Sequence, residues 1–309
     1  MQTKTIQKTI SSKMEEWLKS ITDESLRKEI RKNLLVSGGS ITSMFLNEKI
    51  NDFDVYINNM GVLFDLTKYY IKEHSGITIL DGRIKDVLLN QLTDDYKFST
   101  GIEDAEDINS AYAISVRNLK DDQIKLFFHS SKGGTRINED KKPEELNYAP
   151  IFFSPNAISL SNNVQIILRF HGDNEAIHKT FDFIHATNYF TFESGLVTNK
   201  EALESILTKE LKYQGSLYPL TSIIRMKKFV KRGWNINAGE ILKIMFQISE
   251  LDLKNPDVLE EQLIGVDVAY FSKLIEILRG VKDEKLTSQY LNTIIDKVFN
   301  EADDSLEEI

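Results

Sequence analysis

The sequence predicts an α/β (α+β) domain with a mixed sheet, followed by an all-helical C-terminal domain. Three observations predict it. Helical periodicity alternates with short β-rich runs over the first two hundred residues. Between Leu34 and Ile57 an apolar run, a Gly-Gly turn, a short helical stretch and a second β-rich run follow in order. After Ser194 the apolar residues recur at helical spacing up to Phe299. The change of texture near residues 192–200 divides the chain into a first domain over 1–195 and a helical domain over 196–309.

The size agrees with that division. The chain has 309 residues, and domains run to ~150 residues each. Hydrophobic residues make up 41% and charged residues 28%, which supports packed cores and excludes disorder and fibres. There is no cysteine. Disulfides, thiolate metal sites and a cysteine nucleophile are therefore excluded, and a reducing compartment fits. No apolar run reaches the ~20 residues that span a bilayer, and the start carries no apolar signal core. The expected location is the cytoplasm, with no membrane partner. Net charge is −9, from 38 basic and 47 acidic residues. Any contact with nucleic acid must then be a local basic patch.

Individual elements follow from local pattern. Met14, Trp17, Leu18 and Ile21 place a helix over 12–21, and a second one bearing Leu26 and Ile30 starts near Thr22 or Asp23. Asn33–Val36 reads as a strand, Ile41–Leu46 as a helix, Asp52–Ile57 as a strand and Val62–Glu73 as a helix. Strands are expected at 77–80, 111–116, 124–128, 151–153, 157–160, 164–170 and 180–184, with a loop over 132–142. Helices are expected at 201–211, 219–231, 238–248, 258–263, 268–278 and 288–299.

Two local signals carry chemistry. Gly38-Gly39-Ser40 follows a strand and opens a helix, where free N–H groups favour phosphate and glycine permits close approach. Asp52 and Asp54 stand two apart on a strand, on one face, with Cα atoms roughly 6.5–7 Å apart. That spacing suits carboxylates converging on Mg²⁺. Taken singly, each also fits a plain reading: a steric turn, and two exposed acids at a strand end.

Taken together, strand, GGS, helix and D-x-D resemble the nucleotidyltransferases of the DNA polymerase β-like superfamily, whose GG or GS is followed after about a dozen residues by [DE]-x-[DE]. Here Asp52 stands 13 positions after Gly39. The stretch LLVSGGSITSMFLNEKINDFDVYI is similar to the head of tRNA nucleotidyltransferases and poly(A) polymerases, except that Thr42-Ser43 replaces their Arg-Asp pair. The stretch PNAISLSNNVQIILRFHGDNEAIHKTFDFIHATNYF resembles bacteriophage-type proteins with the same head, which would place the protein in the host cytoplasm. The superfamily implies a third carboxylate on a neighbouring strand. Asp182, between Phe181 and Phe183, is the best candidate, ahead of Asp81, Asp86, Asp121 and Asp122. The 128 positions from Asp54 to Asp182 then make residues 75–150 an insertion.

Further candidates surround this motif. Arg169 shares a predicted strand face with Gln165 and could reach a triphosphate. His171, His178 and His185 are spaced by seven, which is not a zinc signature. Pro219–Arg232 carries Arg225, Lys227, Lys228, Lys231 and Arg232, and resembles the helix after the head of tRNA nucleotidyltransferases through Pro219, Leu220, Arg225 and Phe229. Tyr213 and Trp234 read as packing residues or as base-stacking platforms.

The resemblance implies a Mg²⁺- or Mn²⁺-dependent transfer of a nucleoside monophosphate from an NTP to a hydroxyl. Asp52, Asp54 and Asp182 would be catalytic and metal-binding. Gly38, Gly39, Ser40, Arg169, Arg225 and Lys228 would bind the nucleotide. The favoured acceptor is an RNA 3′ end, tRNA included, with a protein side chain or small molecule as the other acceptors. The alternative is a non-catalytic descendant of the fold, acting as a binding or virion-associated phage protein.

Overall fold

The computed structural model describes residues 2–74, the strands at 112–117, 123–128 and 135–136, and residues 146–154, 156–263, 274–275, 277–281 and 287–300. Two compact units emerge. The first comprises Met1–Thr180 and His185–Ile206, the second Phe181–Ile184 and Leu207–Ile309.

The first unit opens with helices α1 (Thr3–Ser20) and α2 (Glu24–Asn33), then β1 (Leu34–Ser37), α3 (Gly39–Leu46), β2 (Phe53–Ile57) and α4 (Met60–His74). Helix α1 starts nine residues before its expected start at Ser12, because Ile6 and Ile10 continue the buried stripe of Met14, Trp17 and Leu18. Asp23 caps α2 by accepting from Leu26 N at 3.0 Å. Strands β3 (Tyr112–Arg117) and β4 (Gln123–Phe128) pair with each other. There follow β5 (Thr135–Arg136), β6 (Pro150–Phe153), β7 (Ala157–Leu160), β8 (Val164–Ile167), α5 (Asn174–His178), β9 (Tyr189–Thr191), β10 (Gly195–Val197) and α6 (Lys200–Thr208). The expected strand at 77–80 and the competing Asp81, Asp86, Asp121 and Asp122 lie outside the described residues.

Eight strands form a mixed sheet in the order β10-β9-β1-β2-β8-β7-β6-β5. The β2–β8 pairing is parallel, while β1–β2, β1–β9 and β7–β8 are antiparallel. One cross-strand row runs Phe190, Val36, Val55, Ile166, Ile158, Phe153, all at 2% exposure or less. It joins the buried stripes of α1, α2 and α4 in a single core. Trp17 Nε1 donates to Tyr70 OH at 2.7 Å inside that core and ties α1 to α4. One face of the sheet is thus sealed by helices. The alternation of the strands sends the intervening residues to the other face.

The second unit holds β11 (Glu210–Leu211), α7 (Pro219–Lys231), β12 (Asn235–Ile236), α8 (Ala238–Ser249), α9 (Pro256–Gln262) and α10 (Ser288–Asn300). It is mainly helical, with a short parallel β11–β12 pair. Pro219 opens α7 at its first turn, and Asn237 caps α8 by accepting from Glu240 N. Leu259, Leu263, Leu274, Ile275, Leu278 and Ile294 form its core.

The expected strand over 180–184 is not formed. Helix α5 ends at His178, Asp182 lies at a bend, and Ile184–Ala186 is a 3₁₀ turn. Instead of extending the sheet, Phe183 bridges to Tyr213, Ile184 N donates to Lys212 O at 3.1 Å and Gln214 N donates to Asp182 O at 2.9 Å.

Candidate functional site

The site begins where β1 ends. Gly38 has φ 100° and ψ −153°, a conformation that L side chains rarely adopt. A Cβ added there would stand 3.0 Å from Asp54 Oδ2, so the carboxylate of β2 lies against the glycine backbone. Gly38 N donates to Ala186 O at 3.1 Å, which fixes the turn. Gly39 begins α3, and a Cβ at that position would meet nothing within 4 Å. Ser40 is buried in the first turn, and its Oγ has no hydrogen-bond partner among the described residues. The Gly38 turn thus lies directly against the Asp54 carboxylate.

Strand β2 starts one residue later than expected, so Asp52 stands just before it and Asp54 on it, separated by the buried Phe53, whose N–H donates to Asn163 O at 2.9 Å. Asp52 is exposed, but the protein crowded around its carboxyl raises its pKa above the ordinary value, against a lowering backbone hydrogen bond. A carboxyl whose charge is disfavoured this way gains from a cation. Two carboxylates are hard oxygen donors of the kind Mg²⁺ and Mn²⁺ take. The residues present therefore fit a divalent ion. Among the described residues, no third His, Asp or Glu joins them in a metal-holding group.

The polar face continues sideways. In the parallel β2–β8 register Asp54 is beside Gln165, and Gln165 is opposite Ser159 of β7. Gln165 Nε2 donates to Ser159 Oγ at 3.2 Å. On the other side, Ser37 faces Tyr189 of β9. Ser37 Oγ is 2.9 Å from Asn188 O, 3.2 Å from Ala186 O and 3.0 Å from His178 Nε2. A hydroxyl has one proton. Given to Asn188 O, the nearest acceptor, it leaves Oγ to accept from His178 Nε2–H. Burial pushes the His178 pKa down to about 4, so the ring is neutral at pH 7.

The other candidates are placed differently. Thr42 and Ser43 are buried, and Thr42 Oγ1 donates to His185 O at 3.0 Å. They anchor α3, where the resembled heads carry Arg-Asp. Arg169 lies beyond the end of β8, buried, with Nη1 3.5 Å from Asn156 Oδ1. Asp182 belongs to the second unit, buried, with Oδ2 accepting from Arg225 Nη1 at 2.8 Å. Tyr213 and Trp234 are buried and pack against Phe183 and Phe229. Lys227, Lys228, Lys231 and Arg232 are exposed along the end of α7. The motif spacing anticipated that Gly38 and Asp54 lie together. It missed Ser37, Ser159 and the closeness of Gln165 to Asp54, which the strand register alone brings together.

Comparison with known proteins adds three findings. A curated relative, "Gabija anti-defense 2" from Bacillus phage SPbetaL7, is 21% identical over 300 residues, which is 93% of this chain. The chain spans 58% of the length of that relative. Among solved structures, the CCA-adding enzyme of Thermotoga maritima complexed with tRNA is 10% identical, with a TM-score of 0.37 over 96% of this chain and 70% of that one. The Bacillus stearothermophilus CCA-adding enzyme in complex with CTP is 10% identical, with a TM-score of 0.35 over 93% of this chain and 69% of that one. No helix among the described residues is long and apolar enough to cross a membrane. The model of the Gabija anti-defense 2 family matches residues 8–209, and the chain belongs to that family.

Proposed function

We propose that this chain is a phage anti-defense protein that works as a nucleotidyltransferase in the host cytoplasm, moving a nucleoside monophosphate from an NTP to a hydroxyl. The approach of Asp54 Oδ2 to Gly38 carries the reading. It sets a carboxylate for a cation beside a helix N-terminus for phosphate, on the face of the sheet away from the core. The anti-defense role follows the name of the family.

Asp52 and Asp54 would hold Mg²⁺ or Mn²⁺. When bound, the ion supplies charge for the α-phosphate and the departing pyrophosphate. Gly38, whose own N–H is held by Ala186 O, shapes the turn, and the N–H of Gly39 with the buried Ser40 hydroxyl would receive the β- and γ-phosphates. Arg169 and Lys228 remain proposed nucleotide contacts. The acceptor oxygen attacks the α-phosphorus, the bond to the bridging oxygen breaks, pyrophosphate leaves and the acceptor proton passes to solvent. Asp182 and Arg225 hold each other and are given no proton-transfer role in this proposal. An RNA 3′ end and a protein hydroxyl are the two acceptors to separate.

Wild type and the Asp52→Ala/Asp54→Ala variant are incubated with α-labelled NTPs, Mg²⁺ or Mn²⁺, RNA and lysate from defended cells. Label on RNA or on protein, lost in the variant, is expected and names the acceptor. Absence of label and of NTP binding in the wild type overturns the reading. That outcome favours a non-catalytic binding protein, for which the use of Thr42 as an anchor already speaks.

A further inference from the structure

We propose that Gln165 is the third oxygen donor of the Asp52–Asp54 cation site, held in place from behind by Ser159. The inference rests on the cation-site reading above. It starts from the register. Asp54 and Gln165 stand side by side on parallel strands, so their side chains leave the same face about 4.8 Å apart at the backbone. That face is not the core face. Phe53 and Val55 flank Asp54, Val164 and Ile166 flank Gln165, and all four are buried, while Asp54 and Gln165 are only half-buried.

The amide is oriented. Its Nε2 donates to Ser159 Oγ at 3.2 Å, on β7, which is on the opposite side of β8 from β2. The two branches of a planar amide diverge by about 120°. With the nitrogen committed to Ser159 on β7, Oε1 is the atom this reading offers to the ion. A side-chain amide oxygen is an accepted ligand for hard divalent ions. The polar residues nearby point to the same conclusion. No third His, Asp or Glu joins Asp52 and Asp54 among the described residues, and Asp182 is held by Arg225 in the second unit. Independently of the acids, Ser40, two residues along from the Gly38 turn that lies against Asp54, is 4% exposed, and its hydroxyl has no hydrogen-bond partner among the described residues. A neutral third donor leaves a site of two negative charges, which one divalent ion balances.

Mn²⁺ binding to the full chain tests this by electron paramagnetic resonance and calorimetry, without nucleotide and without reference to activity. The variants are Asp54→Ala, Gln165→Met, Gln165→Glu and Ser159→Ala, each checked by circular dichroism. The expected results are loss of the site in Asp54→Ala and about tenfold weaker binding in Gln165→Met. Gln165→Glu, which adds a third charge, should bind at least about tenfold tighter. Ser159→Ala, which keeps Gln165 but frees it, should bind a few-fold more weakly and guards against misfolding of Gln165→Met. If Asp54→Ala loses the ion while all three variants at Gln165 and Ser159 match wild type, Gln165 is only a tie between strands and the proposal fails with the site intact. If wild type binds no Mn²⁺, or Asp54→Ala binds as wild type does, the cation-site reading itself fails and takes the proposal with it.

Discussion

Two adjacent glycines make very different demands on the chain. Gly38 has positive φ and no room for a Cβ beside Asp54, whereas Gly39 has ordinary helical geometry and open space. Gly38→Ala is expected to destabilise the protein by about 1–3 kcal/mol, through backbone strain and the displaced carboxylate. Gly39→Ala is expected to leave stability within about 0.5 kcal/mol of wild type. Urea denaturation checks both. The pair also separates folding from ligand contact. An effect of Gly39→Ala on NTP binding, with stability unchanged, would mean that the open space in front of the turn is where phosphate sits. Equal destabilisation by both substitutions would remove the special status of Gly38. These residues were legible in the sequence because their relation is local: a strand, a turn and a return strand bring residues 38 and 54 together whatever the rest of the chain does.

Elements are where local pattern stops sufficing. Helix α5 packs its last residue, His178, onto Ser37 of β1, a contact across 141 positions that no periodicity announces. It makes the end of β1 sensitive to pH. The folded pKa of His178 is about 4 against 6.5 for the free group, with burial as the cause. Between those values the unfolded chain takes up a proton that the folded chain refuses. The associated stability is therefore complete above pH 6.5 and lost as pH falls through about 4. Because the ring is half-buried, solvent screening reduces the effect to about 1 kcal/mol. His178→Gln keeps a donor for Ser37 and does not titrate. It should flatten the fall of Tm between pH 6.5 and 4, and a variant curve parallel to wild type would place the sensitive group elsewhere. The same limit explains the misread strand at 180–184. Phe181 and Phe183 alternate with polar residues as strand residues do, but the partner of Phe183 is Tyr213, on a segment about thirty residues further on. Strands β9 and β10 were invisible for the related reason that three-residue strands carry too few side chains to show a period. Helix α7, by contrast, matches its expected limits, since Pro219 and the basic residues at its end mark both termini.

At the scale of the molecule, the chain does not pass from one unit to the other once. Phe181–Ile184 is counted with the second unit although the residues on either side of it belong to the first. Among its partners are Lys212, Tyr213, Gln214 and Arg225, which lie beyond the end of the first unit at Ile206. A fragment of residues 1–206 would therefore keep the segment and lose these partners. Phe183, 1% exposed in the whole chain, would face water, and Asp182 would be without Arg225. Burial of a phenylalanine side chain is worth about 1.5–3 kcal/mol. The 1–206 fragment is thus expected to bind the dye ANS and to associate at micromolar concentration, while the full chain does neither. Phe183→Ser in the fragment should reduce both signals, because it removes the uncovered apolar group without touching the sheet. The same substitution in the full chain should instead cost about 3 kcal/mol or more, since there Phe183 packs edge-on against Tyr213. If the unaltered fragment proves monomeric and silent to ANS, the segment folds back onto the first unit by itself. Phe181–Ile184 would then be no more than a loop.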